Sequence, residues 1–294
     1  MSETANPVVT IGVPVYNGER YLRAALDSLL DQTHADLELI ISDNASTDST
    51  WDICSEYARR DPRVRTFRQQ ANRGVAANWN FVARQARGRY FKWASASDVC
   101  APVMVAYCLE AMEDPGVALA FGRTCFVDDA GNEVGVFEKD FAVDDARPGD
   151  RFGRVCHRLS INNGLNGLIR RDALLKTRLH RAYPHSDRVL MAELAMHGRF
   201  VLLPDVLLFR RSGPEHFTAL RSQQELQRMF QPHARQPLKL VHLRRHGDFV
   251  LGALRSPVPL SERLRAAKAA LRGLYWDRAG LREDLSGLMP NRHA

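Results

Sequence analysis

Apolar residues follow two alternating rhythms over the first hundred positions. Residues 8–15 are a β-branched run closed by Pro14 and the turn residues Asn17 and Gly18, which predicts a strand and a loop. Leu22, Ala25, Leu26, Leu29 and Leu30 then recur at helical spacing. The order repeats: a strand over 37–42, a polar loop over 43–48, a helix over 50–59 and a strand over 64–67. A loop at 72–74, a helix over 75–84, a strand over 90–94 and a loop at 95–98 follow. Strands alternating with helices imply an α/β domain with a mostly parallel sheet, because parallel neighbours need crossover connections. Ligands of such sheets bind beyond the carboxyl ends of the strands, which singles out the loops 14–18, 43–48, 72–74 and 95–98.

Beyond Asp98 the pattern loosens. It predicts a helix over 102–112, a strand over 117–127 and, after a turn at 128–131, a partner strand over 133–137 that closes a hairpin. Residues 138–160 and 217–250 are too polar to assign. Residues 183–198 carry Val189, Leu190, Ala192, Leu194 and Ala195 in a helical stretch, and apolar positions from 260 to 285 mark one face of a single helix, with Arg263, Arg265, Lys268 and Arg272 around it.

The length of 294 residues leaves room for one large domain or two modest ones, and 45% hydrophobic with 26% charged residues is an ordinary globular balance. No run approaches the roughly 18 apolar residues of a membrane span, and residues 1–16 lack the basic and apolar regions of an export signal; a cytoplasmic protein is expected. Five scattered cysteines without CxxC or HExxH argue against a disulfide framework and a zinc site. The net charge of +7 is unevenly spread: residues 201–294 hold 16 basic and 8 acidic side chains, whereas the first two hundred are balanced. Such a tail can meet phosphates, nucleic acid or an anionic membrane surface, or be a solvated face.

Asp43 and Asp98 stand at the ends of predicted strands. Carboxylates there can accept hydrogen bonds from a base or sugar or ligate Mg²⁺ or Mn²⁺; each can equally cap the helix that follows. Trp79 and Trp93 flank the same region, where aromatic residues either stack on a ligand or fill the core.

The text VTIGVPVYNGERYLRAALDSLLDQTHADLELIISDNASTDST, then NRG, then ARGRYFKWASASDVCAP resembles the nucleotide-binding half of family 2 glycosyltransferases of the GT-A fold. The resemblance is strong over residues 8–125, weaker over 160–216, and does not extend into the last 75. It implies a GT-A domain over 1–220, with a nucleotide-binding half (1–125) and an acceptor half (126–220), followed by a basic helical extension over 221–294. Pro14, Tyr16 and Asn17 match the loop lining the nucleotide pocket, and Asp43 matches the carboxylate that reads a pyrimidine base edge. Asn72 and Gly74 match the loop near base and ribose. Asp98 matches the last carboxylate of the region that holds Mn²⁺ or Mg²⁺ against the diphosphate. Where such relatives show two or three acidic residues, this chain reads Ser95-Ala96-Ser97-Asp98, so metal binding rests on one carboxylate.

In the second half, Asp187 of Ser186-Asp187-Arg188 resembles the family's general base, although a solvated helix-terminal carboxylate is its plainer role. Arg210, Arg211 and His216 match residues that reach the metal or diphosphate. The implied activity is inverting transfer of a sugar from a nucleotide diphosphate, UDP or dTDP before GDP, to a hydroxyl or amine acceptor. Two alternatives stand beside it: a sugar-nucleotide-binding protein without turnover, and a nucleic-acid or membrane-surface module driven by the basic last third. The expected partners are a nucleotide sugar and a small-molecule or glycan acceptor, with no nucleic acid. The C-terminal helix is read as packing on the catalytic domain or on a partner, a homodimer included, rather than as lying on a membrane, with peripheral membrane contact as the alternative.

Overall fold

In the computed structural model, which describes residues 6–212, 222–234 and 239–286, the first β-branched run becomes strand β1 (Val9–Val15), buried along its whole length. A strand buried on both faces needs partners on both edges and a layer over each face. Parallel pairing with β2 (Leu37–Asp43) and β4 (Tyr90–Trp93) supplies the edges, and β3 (Val64–Arg68) extends the sheet beyond β2, again in parallel. The crossovers are helices α1 (Leu22–Leu30), α2 (Thr50–Arg60) and α3 (Val75–Gln85). In α1 the buried positions Leu22, Ala25, Leu26 and Leu29 form the stripe that the sequence spacing requires.

The second half turns the sheet from parallel to mixed. Its elements are β5 (Val99–Cys100), α4 (Met104–Ala111), β6 (Val117–Val127), β7 (Glu133–Val136), α5 (Pro148–Arg158), β8 (Leu168–Arg170), α6 (Arg171–Leu174), α7 (Ser186–Ala195) and β9 (Arg199–Arg211). The strand order is β3-β2-β1-β4-β8-β6-β9-β5, with β7 paired to β6. β8 lies antiparallel between β4 and β6, and β9 runs parallel to β6 and antiparallel to β5. The predicted hairpin of 117–127 and 133–137 is the β6–β7 pair.

Side-chain alternation divides the core into two. Val9, Ile11, Val13, Leu39 and Ile41 pack on one face with α1 and α4, whereas Ile40, Phe91 and Trp93 pack on the other with α3, α5 and α7. The second core also holds Phe249, Ala253, Ala266 and Ala270. These belong to α9 (Val241–Arg255) and α10 (Leu260–Trp276), which with α8 (Gln223–Phe230) and α11 (Arg278–Ser286) make up the C-terminal region.

Two readings of the chain need correction. The single helix expected over 260–285 is interrupted at Asp277, whose Oδ2 accepts from Arg245, His242 and His246 of α9 and fixes a bend between α10 and α11. The unassigned stretch 138–160 contains α5, whose Arg151 is buried and donates to the carbonyls of Ala195 (2.6 Å) and Asp145 (2.9 Å). Its guanidinium supplies acceptor-rich backbone with donors at the end of α7, a role that composition registers only as polarity. No helix among the described residues is long and apolar enough to cross a membrane.

Gly12 lets the sheet and α3 approach closely: a Cβ there would lie 2.8 Å from Val82 Cγ2 and 2.9 Å from Phe91 Cζ. Gly12→Ala is expected to destabilise the fold by about 1–3 kcal/mol through overpacking, measured as a lowered midpoint in chemical denaturation.

Candidate functional site

Parallel pairing fixes the floor of the site. Val15 lies opposite Asp43 and Asp43 opposite Arg68, so β1, β2 and β3 end at one level. The loops after β1 and β2 must then satisfy each other's backbone. Asn17 N–H donates to Ser46 Oγ (2.9 Å), Thr47 N–H to Asn17 Oδ1 (2.9 Å) and Gly18 N–H to Thr50 Oγ1 (2.8 Å). Asn17 and Ala45 stand in the left-handed region, at φ 49° and 62°; Asn tolerates it, and Ala45 is held there by the bonds on either side. Tyr16 projects from this rim, 47% exposed, while Pro14 is buried within the β1–β2 pair.

Asp43 is completely enclosed. Its Oδ1 accepts the Ser46 N–H at 3.0 Å within the loop, so it does not cap α2, whose N-cap is Ser49, and its Oδ2 faces Arg68 Nε at 3.3 Å without hydrogen-bond geometry. A base can meet this carboxylate only if Arg68, whose side chain is 47% exposed, swings aside. Asn72 joins the same floor: its Oδ1 accepts from Asn44 Nδ2 and from the Gly74 N–H, each at 2.9 Å. Gly74 adopts φ 82°, and a Cβ there would lie 2.5 Å from the Phe230 carbonyl oxygen, so the end of α8 closes over this loop.

Asp98 lies past the end of β4 and is 7% exposed. Burial raises its pKa, opposed by the Arg210 charge, the Arg211 N–H, the Ser97 hydroxyl and Lys92. Lys92 is a buried cation in an aromatic strand, tied to the carbonyls of Asn166 (2.5 Å) and Trp93 (3.2 Å). Arg210 Nη1 donates to Asn163 Oδ1 at 2.7 Å, and Asn163 Nδ2 donates to Asp140. The guanidinium of Arg211 points elsewhere, to the carbonyls of Asp128 and Asp129; only its backbone N–H reaches Asp98, at 3.1 Å.

Asp187 sits in the first turn of α7 and accepts from Asn162 Nδ2 at 2.9 Å. Asn162 and Asn163 are neighbours, so one short segment ties Asp187 on one side to Arg210, Asp140 and the surroundings of Asp98 on the other. His180 packs edge-on against Trp79 and Trp93. Burial lowers its pKa to about 4 although the Asp187 charge opposes this, leaving a neutral ring whose buried Nε2 has no hydrogen-bond partner. Trp93 is wholly core, its Nε1 donating to the Trp79 carbonyl, and Trp79 is partly buried.

Among the described residues no three His, Cys, Asp or Glu side chains stand close enough to hold a metal ion by themselves; His216 lies outside the described residues. Asp98 Oδ1 accepts from Ser97 and Arg211, and its other oxygen accepts from no described residue. This arrangement fits a hard cation whose coordination is completed by a diphosphate and water. Asp140, Asn162, Asn163 and Lys92 were not singled out from the sequence. Lys92 carried a visible signal, a charge inside an apolar strand; the other three sit in or beside the polar stretch and become neighbours only in the fold.

The model of the family described as "Glycosyl transferase family 2" matches residues 10–175, spanning all four loops, Asp98, Asp140 and the Asn162–Asn163 segment. The chain belongs to glycosyl transferase family 2. This family 2 glycosyltransferase is 36% identical over 129 residues to a chondroitin synthase of Escherichia coli, covering 44% of this chain and 19% of that protein. It is 32% identical over 128 residues to an uncharacterized glycosyltransferase of Haemophilus influenzae, covering 44% and 51%. The aligned part is therefore at most about half the length of these relatives. Its fold resembles that of S. aureus TarS residues 1–349, solved with UDP, at a TM-score of 0.67 and 15% identity, covering 96% of this chain and 75% of that one. A mannosyltransferase of Pyrobaculum calidifontis, solved with GDP-Man and Mn²⁺, matches at 0.52 and 18% identity, covering 97% and 80%. These likenesses bear out the GT-A architecture expected from the sequence.

Burial raises the Asp140 pKa to about 6 against the pull of Asn163, Arg210 and Arg123. A folded pKa above the unfolded one means that the native state holds the extra proton between about pH 4 and 6, so this carboxyl's contribution to stability is lost as pH rises through 6. Asp140→Asn should therefore gain stability relative to wild type at pH 8 compared with pH 4, by about 1 kcal/mol after allowance for screening of a partly exposed group. Denaturation at the two pH values, together with a carboxyl NMR titration near 6, checks this.

Proposed function

We propose that this family 2 glycosyltransferase is an inverting enzyme that moves a sugar from a nucleotide diphosphate donor, UDP or dTDP, to a hydroxyl or amine acceptor. The observation that carries the reading is the Asn162–Asn163 segment, which ties a carboxylate at a helix N-terminus to the cationic surroundings of Asp98. Direct displacement at an anomeric carbon needs such an opposition. A base takes the acceptor proton on one face, and positive charge stabilises the departing diphosphate on the other.

In this reading Asp187 is the base. The α7 N-terminus favours its anion, Asn162 orients it through Oδ2, and neutral His180 leaves it free to receive the acceptor proton. Arg210, held by Asn163, faces the diphosphate with Asp98. Asp98 would hold Mg²⁺ or Mn²⁺; a bound cation supplies neutralisation of the leaving group's charge. Tyr16, Asn17, Asn72 and Gly74 line the nucleotide end, and Asp43, with Arg68 displaced, receives the imide N–H of uracil or thymine. The TarS structures with UDP and with UDP-GlcNAc support a uridine donor, and the P. calidifontis structure with Mn²⁺ supports a divalent cation.

Calorimetric titration of UDP, dTDP and GDP, with and without Mn²⁺, is expected to give pyrimidine-selective binding that Mn²⁺ strengthens in wild type but not in Asp98→Ala. Asp187→Asn should lower transfer by about 10²–10⁴-fold while holding UDP affinity within about twofold, the pattern of a group used only in the transition state. Failure of every nucleotide to bind would overturn the donor site. Undiminished transfer by Asp187→Asn would overturn the base.

A further inference from the structure

A cavity of about 610 Å³ opens where the last turn of α5, the first turn of α7, the start of α9 and the end of α10 meet. Arg188, Arg245, Arg272, His157 and His246 line it, with Asp277 as the one carboxylate among its lining residues. That carboxylate is already engaged: Asp277 Oδ2 accepts from Arg245 Nη2 at 2.5 Å and from His242 Nδ1 and His246 Nε2 at 2.9 Å each. Arg188 and Arg272 make no ion pair with any described residue. Arg188 Nε is closed off from solvent without a hydrogen-bond partner, and so is Nδ1 of His246, a residue only 5% exposed. The His246 Nδ1 offers a lone pair in the neutral ring and an N–H once protonated. Burial and the Arg245 charge both disfavour the Arg188 cation. The Arg188 Nε–H is a buried donor that calls for an acceptor, and a concave set of guanidiniums whose one lining carboxylate is already engaged calls for an anion.

The cavity lies beside the acceptor side of the proposed reaction. Arg188 follows Asp187 on α7 and feels its charge, and Cys156 and His157 of the last turn of α5 stand a few residues before Asn162, which bonds Asp187. His185, at φ 64°, feels the charges of Asp187, Arg188 and Arg245 together. We propose that this cavity is a subsite for a phosphate group carried by the acceptor, with Arg188 and Arg272 as its direct contacts. The acceptor assignment rests on Asp187 being the base; the anion site itself does not. The volume accommodates a phosphate with part of the sugar or polyol bearing it, and Trp276, 78% exposed at the rim, presents a ring to that neighbouring group. Enclosure of the cations in a concavity favours a phosphate ester over the flat surface of a bilayer.

The test titrates the full chain with inorganic phosphate, with glycerol 2-phosphate and with vesicles of phosphatidylglycerol in phosphatidylcholine. Wild type is compared with Arg188→Gln, Arg272→Gln and Arg188→Lys. The expected result is single-site binding of both soluble phosphates, weakened about tenfold or more in each Gln variant, as loss of a charge-assisted hydrogen bond requires, and partly restored by Lys, with UDP affinity unchanged. Transfer to phosphorylated acceptors should then show a KM raised about tenfold in Arg188→Gln at constant kcat, with neutral acceptors unaffected. Arg272 is exposed, so its variant reads the site without a change in packing. Equal phosphate affinity in wild type and both Gln variants would overturn the proposal, as would vesicle binding without binding of the soluble phosphates. UDP binding without phosphate binding would remove the subsite alone; phosphate binding without UDP binding would uphold the anion site and remove its acceptor role.

Discussion

The parallel register of β1 and β2 is the constraint on which the site depends. With Val15 opposite Asp43, both strands stop at one level and release polar loops into the same space. Backbone donors there cannot be left unpaired at little cost, and the two loops pair with each other through Asn17, Ser46, Thr47 and Thr50. The loops are therefore tied to each other without a ligand. Asn44 and Asn72 carry the same network to the loop after β3, and β4, parallel to β1, brings Asp98 to the same edge.

Electrostatics organises the other wall. Burying Asp98 penalises its charge, and the fold answers with Lys92 beneath it, Arg210 beside it and a backbone N–H on its Oδ1. Lys92 in turn donates to two carbonyls and, among the described residues, makes no ion pair, so its charge acts on Asp98 through space. Asn163 splits its amide between Arg210 and Asp140, accepting from one and donating to the other. A small set of buried polar groups thus fixes where negative charge is tolerated.

The C-terminal helices share in both tasks. Phe249 and Ala270 sit in the same core as Trp93 and Leu190, and Arg178 bonds both Glu193 of α7 and Asp248 of α9. Pairing at both ends offsets the cost of burying that guanidinium. The carbonyl of Phe230 closes on Gly74. The basic excess of the last third is distributed accordingly: Arg245 braces the bend at Asp277, whereas Arg272 joins Arg188 of α7 in the cavity between the helices, neither making an ion pair with a described residue.

The sequence by itself determined the α/β alternation, the strand-end loops and their polar residues, and the family resemblance. All of these are written in short-range periodicity, and the turn residues lie within a few positions of the strands they terminate. It also flagged Asp187, because Ser186-Asp187-Arg188 ahead of an apolar helical run resembles the family's acidic motif, which is a local pattern. Only the tertiary structure decided that Asp43 is enclosed beneath Arg68, that Arg211 offers its amide while its guanidinium turns to the β6–β7 turn, and that Asn162 and Asn163 join the two walls. It likewise decided that Arg151 of a polar, unassigned stretch is a buried partner of the α7 carbonyls. These facts concern where a side chain's polar atoms find partners dozens of residues away. The hydrophobic pattern fixes which face of an element is buried, but it carries no information about which distant carbonyl or amide will meet a buried charge.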